Sequence, residues 1–251
     1  LIVYAGSIHD PSTFSDKVLV GSHIFKSYDA GVTWEEIGKN YPRGIETSIR
    51  VIIVDPYDPD VIYLGTSKQE SVVGNGLWIS TDAGRTWGQS NEGLPPDASI
   101  NAIVAHPSNA GWLLVGTEQG MYRSSNAAQT WQRVGGWSVW DVELNLQRPE
   151  HVYAGTEEGL KFSPDFGETW KQVSPDQLSG PIIAITVNCN GTAVYVSDGE
   201  QGVKAAFSEP AASIPLDETT GVEYGRFTST TNIDNTGAAS SMGGESGYGG
   251  P

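Results

Sequence analysis

One eight-residue string recurs four times in this chain, and nothing else in the sequence restricts the fold as strongly. Ser80-Thr81-Asp82-Ala83-Gly84-Arg85-Thr86-Trp87 is the clearest copy, of form S-x-D-x-G-x-T-W. A second copy sets Ser27, Asp29, Gly31, Thr33 and Trp34 at the same spacing, and a third sets Ser163, Asp165, Gly167, Thr169 and Trp170. The fourth is degraded: Ser124, Thr130 and Trp131 stay, but Asn126 replaces Asp and Ala128 replaces Gly. Asp-x-Gly between alternating apolar runs is a turn signal. Glycine accepts positive φ, and the aspartate bonds nearby backbone N–H groups. The tryptophan that follows is a large apolar anchor. Each box therefore reads as a folded corner, not as a catalytic or metal-binding motif.

The copies recur in steps of roughly 40–50 residues, the size of one four-stranded propeller blade. A second signature, two apolar residues followed by Gly and Thr or Ser, precedes each box. Its copies are Val18–Ser22, Ile62–Thr66, Leu113–Thr117 and Val152–Thr156. The expectation is an all-β fold, a β-propeller of about five four-stranded blades over residues 1–207. Blade one is expected to have strands near 1–6, 17–21, 23–28 and 33–37. Blades two to four follow the same plan from 48, 99 and 138. Blade five opens at Ile182, turns at Asn190-Gly191 and lacks a box. Residues 208–251 are rich in Gly, Ser and Thr and read as an extended tail that cannot bury enough apolar surface to fold alone. One alternating stretch, Val222–Thr228, is a candidate ring-closing strand; the alternatives are a flexible tail and an extended arm that orders only on a partner surface.

Composition narrows the function. A net charge of −16 excludes a basic nucleic-acid-binding face and a patch for anionic lipid. The single cysteine, Cys189, allows no internal disulfide and is expected to be a small buried hydrophobe. No apolar run is long enough to span a membrane. Residue one already lies in a strand, so an upstream targeting segment is expected, with an exported location: periplasmic, lumenal or extracellular.

The boxes and the V-Y-x-G-T strands together resemble the Asp-box, or bacterial-neuraminidase, repeat family over roughly residues 1–207. The phrasing from Val54 to Thr66, and then from Gly76 to Trp87, is most similar to its photosystem II assembly-factor and xyloglucanase branches. The resemblance implies a propeller whose boxes join the third and fourth strands at the periphery, away from the ligand face.

On the opposite face the sequence places the loops 38–47, 67–75, 91–98, 135–137 and 174–181. Aligning the first strands puts Arg50, Asn101, Trp140 and Ile183 at one position. Arg43, Trp137 and Asp141 lie close by, and Arg43, Arg50, Asn101, Trp137, Trp140 and Asp141 form the candidate partner-binding set. Two arginines on this face are too few for a sialidase carboxylate site. A glucanase needs two opposed carboxylates; Glu46, Glu70, Glu92, Asp97 and Asp141 are available, none within a motif. His9, His23, His106 and His151 show no metal-ligand spacing. Asp55, Asp58 and Asp60 read as turn chemistry, not a calcium loop. No metal and no cofactor is expected. The reading is a non-catalytic scaffold docking on a larger protein complex, possibly membrane-embedded and photosystem-like. The alternatives are a xyloglucan-type polysaccharide hydrolase and a secreted adhesion module.

Overall fold

Each box folds into the same corner. Asp82 accepts the Thr86 hydroxyl at 2.6 Å, the Thr86 N–H at 2.8 Å and the Ser80 hydroxyl at 2.9 Å. Ser80 Oγ accepts the Gly84 N–H at 2.8 Å. The boxes of Asp29 and Asp165 repeat these bonds. The Thr33 hydroxyl, followed by its N–H, holds Asp29 down at about 2, and Asp82 is also near 2 despite the opposing pull of burial. Two successive residues turn left-handed: Ala83 and Gly84, at φ 60° and 87°. In the degraded copy Ala127 and Ala128 adopt the same conformation without glycine, at φ 56° and 61°. There the Trp131 indole does not bond within its own box, as Trp87 does to Gly84. It donates to the Ser90 carbonyl of the preceding sheet at 2.9 Å.

The computed structural model describes residues 1–6, 23–38, 47–68, 76–173, 178, 180–198, 203–207 and 229–230. They form five antiparallel sheets. The first holds β1 (Val3–Gly6), β2 (Ile24–Ser27) and β3 (Glu35–Ile37). The second holds β4 (Thr47–Val54), β5 (Ile62–Lys68), β6 (Leu77–Ser80) and β7 (Gly88–Gln89). The third holds β8 (Ile100–Ala105), β9 (Leu113–Thr117), β10 (Gly120–Ser124) and β11 (Gln132–Gly135). The fourth holds β12 (Val139–Leu144), β13 (Val152–Thr156), β14 (Gly159–Ser163) and β15 (Lys171–Gln172). The fifth holds β16 (Ala184–Val187), β17 (Ala193–Ser197), β18 (Val203–Phe207) and β19 (Ser229–Thr230). Strands meet their sequence neighbours in order within every sheet, the up-and-down blade of a β-propeller. Among the described residues there is no helix, and so none long and apolar enough to cross a membrane.

Adjacent blades share their cores. Tyr63 and Leu77 of the second sheet pack with Ile100, Ile103 and Trp131 of the third. Leu114 and Met121 of the third pack with Val142, Val152 and Phe166 of the fourth. Tyr153 and Phe162 of the fourth pack with Ile185 and Val194 of the fifth. The glycine of the V-Y-x-G-T strand is required by this stacking. A Cβ on Gly65 would lie 2.7 Å from Ile100 Cγ2, and one on Gly116 would lie 2.5 Å from Val139 Cγ1. The first strand of the next blade lies directly on each.

Blade one departs from the expectation. β1 pairs directly with β2, with Val3 opposite Ser27 and Gly6 opposite Ile24. That is the register of β5 on β6, where Ile62 faces Ser80 and Gly65 faces Leu77. β1 is therefore the second strand of its blade, not the first. Its Gly6 has the second-strand role too, since a Cβ there would lie 2.5 Å from Ile49 Cγ2 of the next blade. Val18–Ser22, read from sequence as the second strand, lies outside the described residues. The same is true of Val222–Thr228; the strand found is the adjacent β19, pairing Lys204 with Thr230. Cys189 is exposed, not buried. The apolar run before it leaves the sheet at Val187, which puts the thiol in the β16–β17 turn.

Candidate functional site at the inner-strand bulges

β4, β8, β12 and β16 contact one another in succession as the inner strands. The first three each carry a β-bulge: between Ile49 and Val51, between Ile100 and Ala102, and between Val139 and Asp141. The extra residues are Arg50, Asn101 and Trp140, the position that the sequence alignment equates. Ile183 stands at the matching place just before β16, its N–H donating to the Ser197 carbonyl at 2.9 Å. A bulge re-aims one side chain out of the alternating pattern, and bulges gather at functional rims.

The bulge residues divide into two kinds. Asn101 is a staple: its Nδ2 donates to the Val139 carbonyl of the next inner strand at 2.7 Å. Arg50, Trp140 and Ile183 are exposed, the last two at 36% and 46%. Asp141, beside Trp140, is a second staple. One carboxylate oxygen accepts the Ile185 N–H at 2.7 Å, and the other accepts the Val142 N–H at 2.9 Å. Trp137 is half-buried, edge-on to Trp170 at 5.3 Å with the Lys161 ammonium 5.6 Å from its ring. The described members of the candidate set thus separate into groups facing solvent (Arg50 and Trp140, with Ile183 at the aligned position beside them) and groups committed to packing (Asn101, Trp137, Asp141). Arg43 lies outside the described residues.

The sequence reading missed Glu143. It lies two residues beyond Asp141 and so on the same face of β12. Burial, and then the Asp141 charge, push its carboxyl up to about 7. Burial also raises Asp141, against the Ile185 and Val142 N–H bonds and the Arg50 charge. At the equivalent places the second blade has Val51 and Ile53, and the third Ala102 and Val104. The alternation of carboxylates with Val139, Val142 and Leu144 was the available signal.

A raised acid pKa means that the folded state keeps a proton that the unfolded chain releases. Stability associated with Glu143 is then full below about 4.5 and falls as pH rises towards 7. Glu143→Gln is expected to raise unfolding stability at pH 8 by roughly 1–2 kcal/mol, after discounting for solvent screening of a half-buried group. It should leave stability at pH 4 nearly unchanged. Urea titrations at the two pH values check this.

The carboxylates considered for hydrolysis are dispersed. Glu92 lines a groove of about 630 Å³ at the box corners, together with Thr81, Thr86, Gln89, Asn91 and Gln129. Asp141 is on an inner strand, and Glu46 and Glu70 lie outside the described residues. Asp55 and Asp58 accept the backbone N–H groups of Tyr57, Asp58 and Asp60, at 2.8, 3.2 and 3.0 Å. Among the described residues no group of three or more His, Cys, Asp and Glu is placed to hold a metal.

Comparison with known proteins gives the same architecture. Residues 22–136 match the Sortilin-Vps10 family (sortilin, neurotensin receptor 3). The repeats resemble those of Asp-box-type β-propellers. The vacuolar protein sorting/targeting protein 10 of Schizosaccharomyces pombe is 26% identical over 115 residues, 45% of this chain and 7% of that protein. The xyloglucanase Xgh74A of Acetivibrio thermocellus is 30% identical over 142 residues, again 45% of this chain and 16% of that enzyme. The chain thus spans only a small part of these relatives' length. Among solved structures, an ancestral GH74 enzyme superposes with a TM-score of 0.61 at 20% identity, covering 75% of this chain and 27% of its own. YCF48 from Cyanidioschyzon merolae superposes at 0.50 with 16% identity, covering 74% and 63%. At such identities the likeness is one of fold.

Proposed function

We propose that this propeller is a non-catalytic docking scaffold that binds a larger protein complex through its inner-strand bulges. The observation that carries this reading is the pairing of exposed Trp140 and Ile183 with exposed Arg50 at one repeated backbone position. Aromatic and arginine side chains are the residues that most often dominate protein interfaces. Asn101 and Asp141, bonded across neighbouring inner strands, hold that surface rigid. The resemblance of the repeats to the assembly-factor branch supports a photosystem-like, membrane-embedded partner and an exported location. The experiment is co-purification from detergent-solubilised native membranes with tagged wild-type chain and with the double variant Arg50→Glu, Trp140→Ala. At least a tenfold loss of the co-purifying complex is expected. Undiminished recovery with the folded variant would remove the bulge surface from the reading.

A second reading, a xyloglucan-type hydrolase, draws support from the xyloglucanase relatives and from Glu143, whose proton is retained to about pH 7 as a general acid requires. Release of reducing ends from xyloglucan by the purified chain would decide for it.

A further inference from the structure

The groove at the box corners draws its walls from two blades. Thr81 and Gln89 come from the box and outer strand of the second sheet, and Ala127 and Gln129 from the degraded box of the third. Its volume, about 630 Å³, is that of a small-molecule site. β7 is the outermost strand of its sheet, and β4 lies at the other end. The groove is therefore separate from the inner-strand bulges.

Two departures from the repeat accompany it. The residue after the box tryptophan is Glu35, Gln132 and Lys171 in three copies, but Gly88 in the second. The backbone does not require that glycine: its φ is not left-handed, and a Cβ built there would meet nothing within 4 Å. Gly88 lines the groove and leaves that space open. The other departure is the degraded box. The Trp131 indole bonds outside it, to the Ser90 carbonyl, and the Trp131 N–H donates to the Glu92 carbonyl at 2.8 Å. The Ser90 hydroxyl donates to the Ala128 carbonyl. These bonds join the two blades along the groove, so its shape is set before any ligand arrives.

The lining selects the ligand. It presents the neutral amides of Gln89, Asn91 and Gln129, the single carboxylate of Glu92, and Trp87 with Ile79 as the apolar wall. Gln89, Glu92 and Gln129 are exposed, and among the described residues no side-chain hydrogen bond commits them. Asn91 is fixed by accepting the Leu77 N–H at 2.8 Å. Amides donate and accept at once, and a carboxylate accepts from hydroxyls. No lysine or arginine lines the groove to balance an anion, and one carboxylate is too few for a bare cation. Neutral hydroxyl groups carried on a ring with C–H faces satisfy both parts of this lining. We infer that the groove between the second and third box corners is a binding site for a neutral oligosaccharide. The inference depends on neither reading of the inner strands.

The probes are cellotriose and maltotriose, both neutral and differing in linkage, with a hyaluronan tetrasaccharide as the anionic control. Each is titrated into the full chain while the side-chain amide NMR signals of Gln89 and Gln129 are followed. Saturable shifts of both amides are expected with at least one neutral trisaccharide, and none with hyaluronan. Gly88→Gln, which fills the open space, should weaken that binding roughly tenfold or more. It should leave urea unfolding unchanged or slightly later, because no backbone constraint holds a glycine there. Glu92→Gln should also weaken binding, and it keeps the test valid if Gly88→Gln fails to fold. Three results would overturn the proposal: no shift of either amide at millimolar trisaccharide, undiminished affinity in either folded variant, or equal binding of hyaluronan.

Discussion

Replacing Trp87 by alanine is expected to lower the unfolding free energy by about 4 kcal/mol, the upper range for removing a buried aromatic side chain. Trp87 is 8% exposed although it belongs to a peripheral corner. Its indole donates to the Gly84 carbonyl at 3.1 Å and lies over Gly38, where a Cβ would be 2.9 Å from Nε1. It shares a cluster with Ile24 of the first sheet and Leu64 of its own, so its loss opens the seam between two blades. The internal control is Trp34, the same box residue in the first blade. It is 44% exposed, and its alanine variant should cost about 1 kcal/mol or less. Urea unfolding of both variants gives the comparison. Equal losses would mean that the box tryptophan acts within its own turn and not across the seam.

Gly155→Val is expected to cost about 3 kcal/mol, the upper end of the usual overpacking range. A Cβ at Gly155 would lie 2.5 Å from the Ile182 carbonyl oxygen and 3.1 Å from Ile182 Cγ2. Backbone is the obstacle, so no rotamer change relieves it. The fifth sheet must move away from the fourth, which also strains the Asp141–Ile185 bond. Faster hydrogen exchange in β16 and β17, with β8–β11 unaffected, would localise the damage. Exchange that rises evenly over all sheets would contradict a local wedge.

Most of the architecture was legible because its determinants are local. The Asp-box bonds run between residues two and four apart, so Ser80, Asp82, Gly84 and Thr86 declare the corner by spacing alone. Strand alternation from Ile100 to Ala105, and the bulge position shared by Arg50, Asn101 and Trp140, could be read in the same way. The misreadings came where a non-local partner decides. Cys189 continues an apolar run, but the Asn188 and Gly191 turn ends the strand before it. Ile2–Gly6 carries the second-strand signature as clearly as His151–Gly155 does, yet only pairing with β2 assigns its place in the blade.

By itself the sequence determined that this chain is an all-β propeller of boxed hairpins, because each corner is closed by hydrogen bonds within eight residues. Only the tertiary structure decided which bulge side chains stay free. Arg50, Trp140 and Ile183 face solvent, while Asn101 and Asp141 are held by strands 38 and 44 residues away. It alone decided that β1 is the second strand of its blade, since that place is defined by pairing with β2 and not by β1's own residues. The physical reason is the range of the interactions: turn chemistry acts along the chain, whereas burial and blade-to-blade stapling act across it.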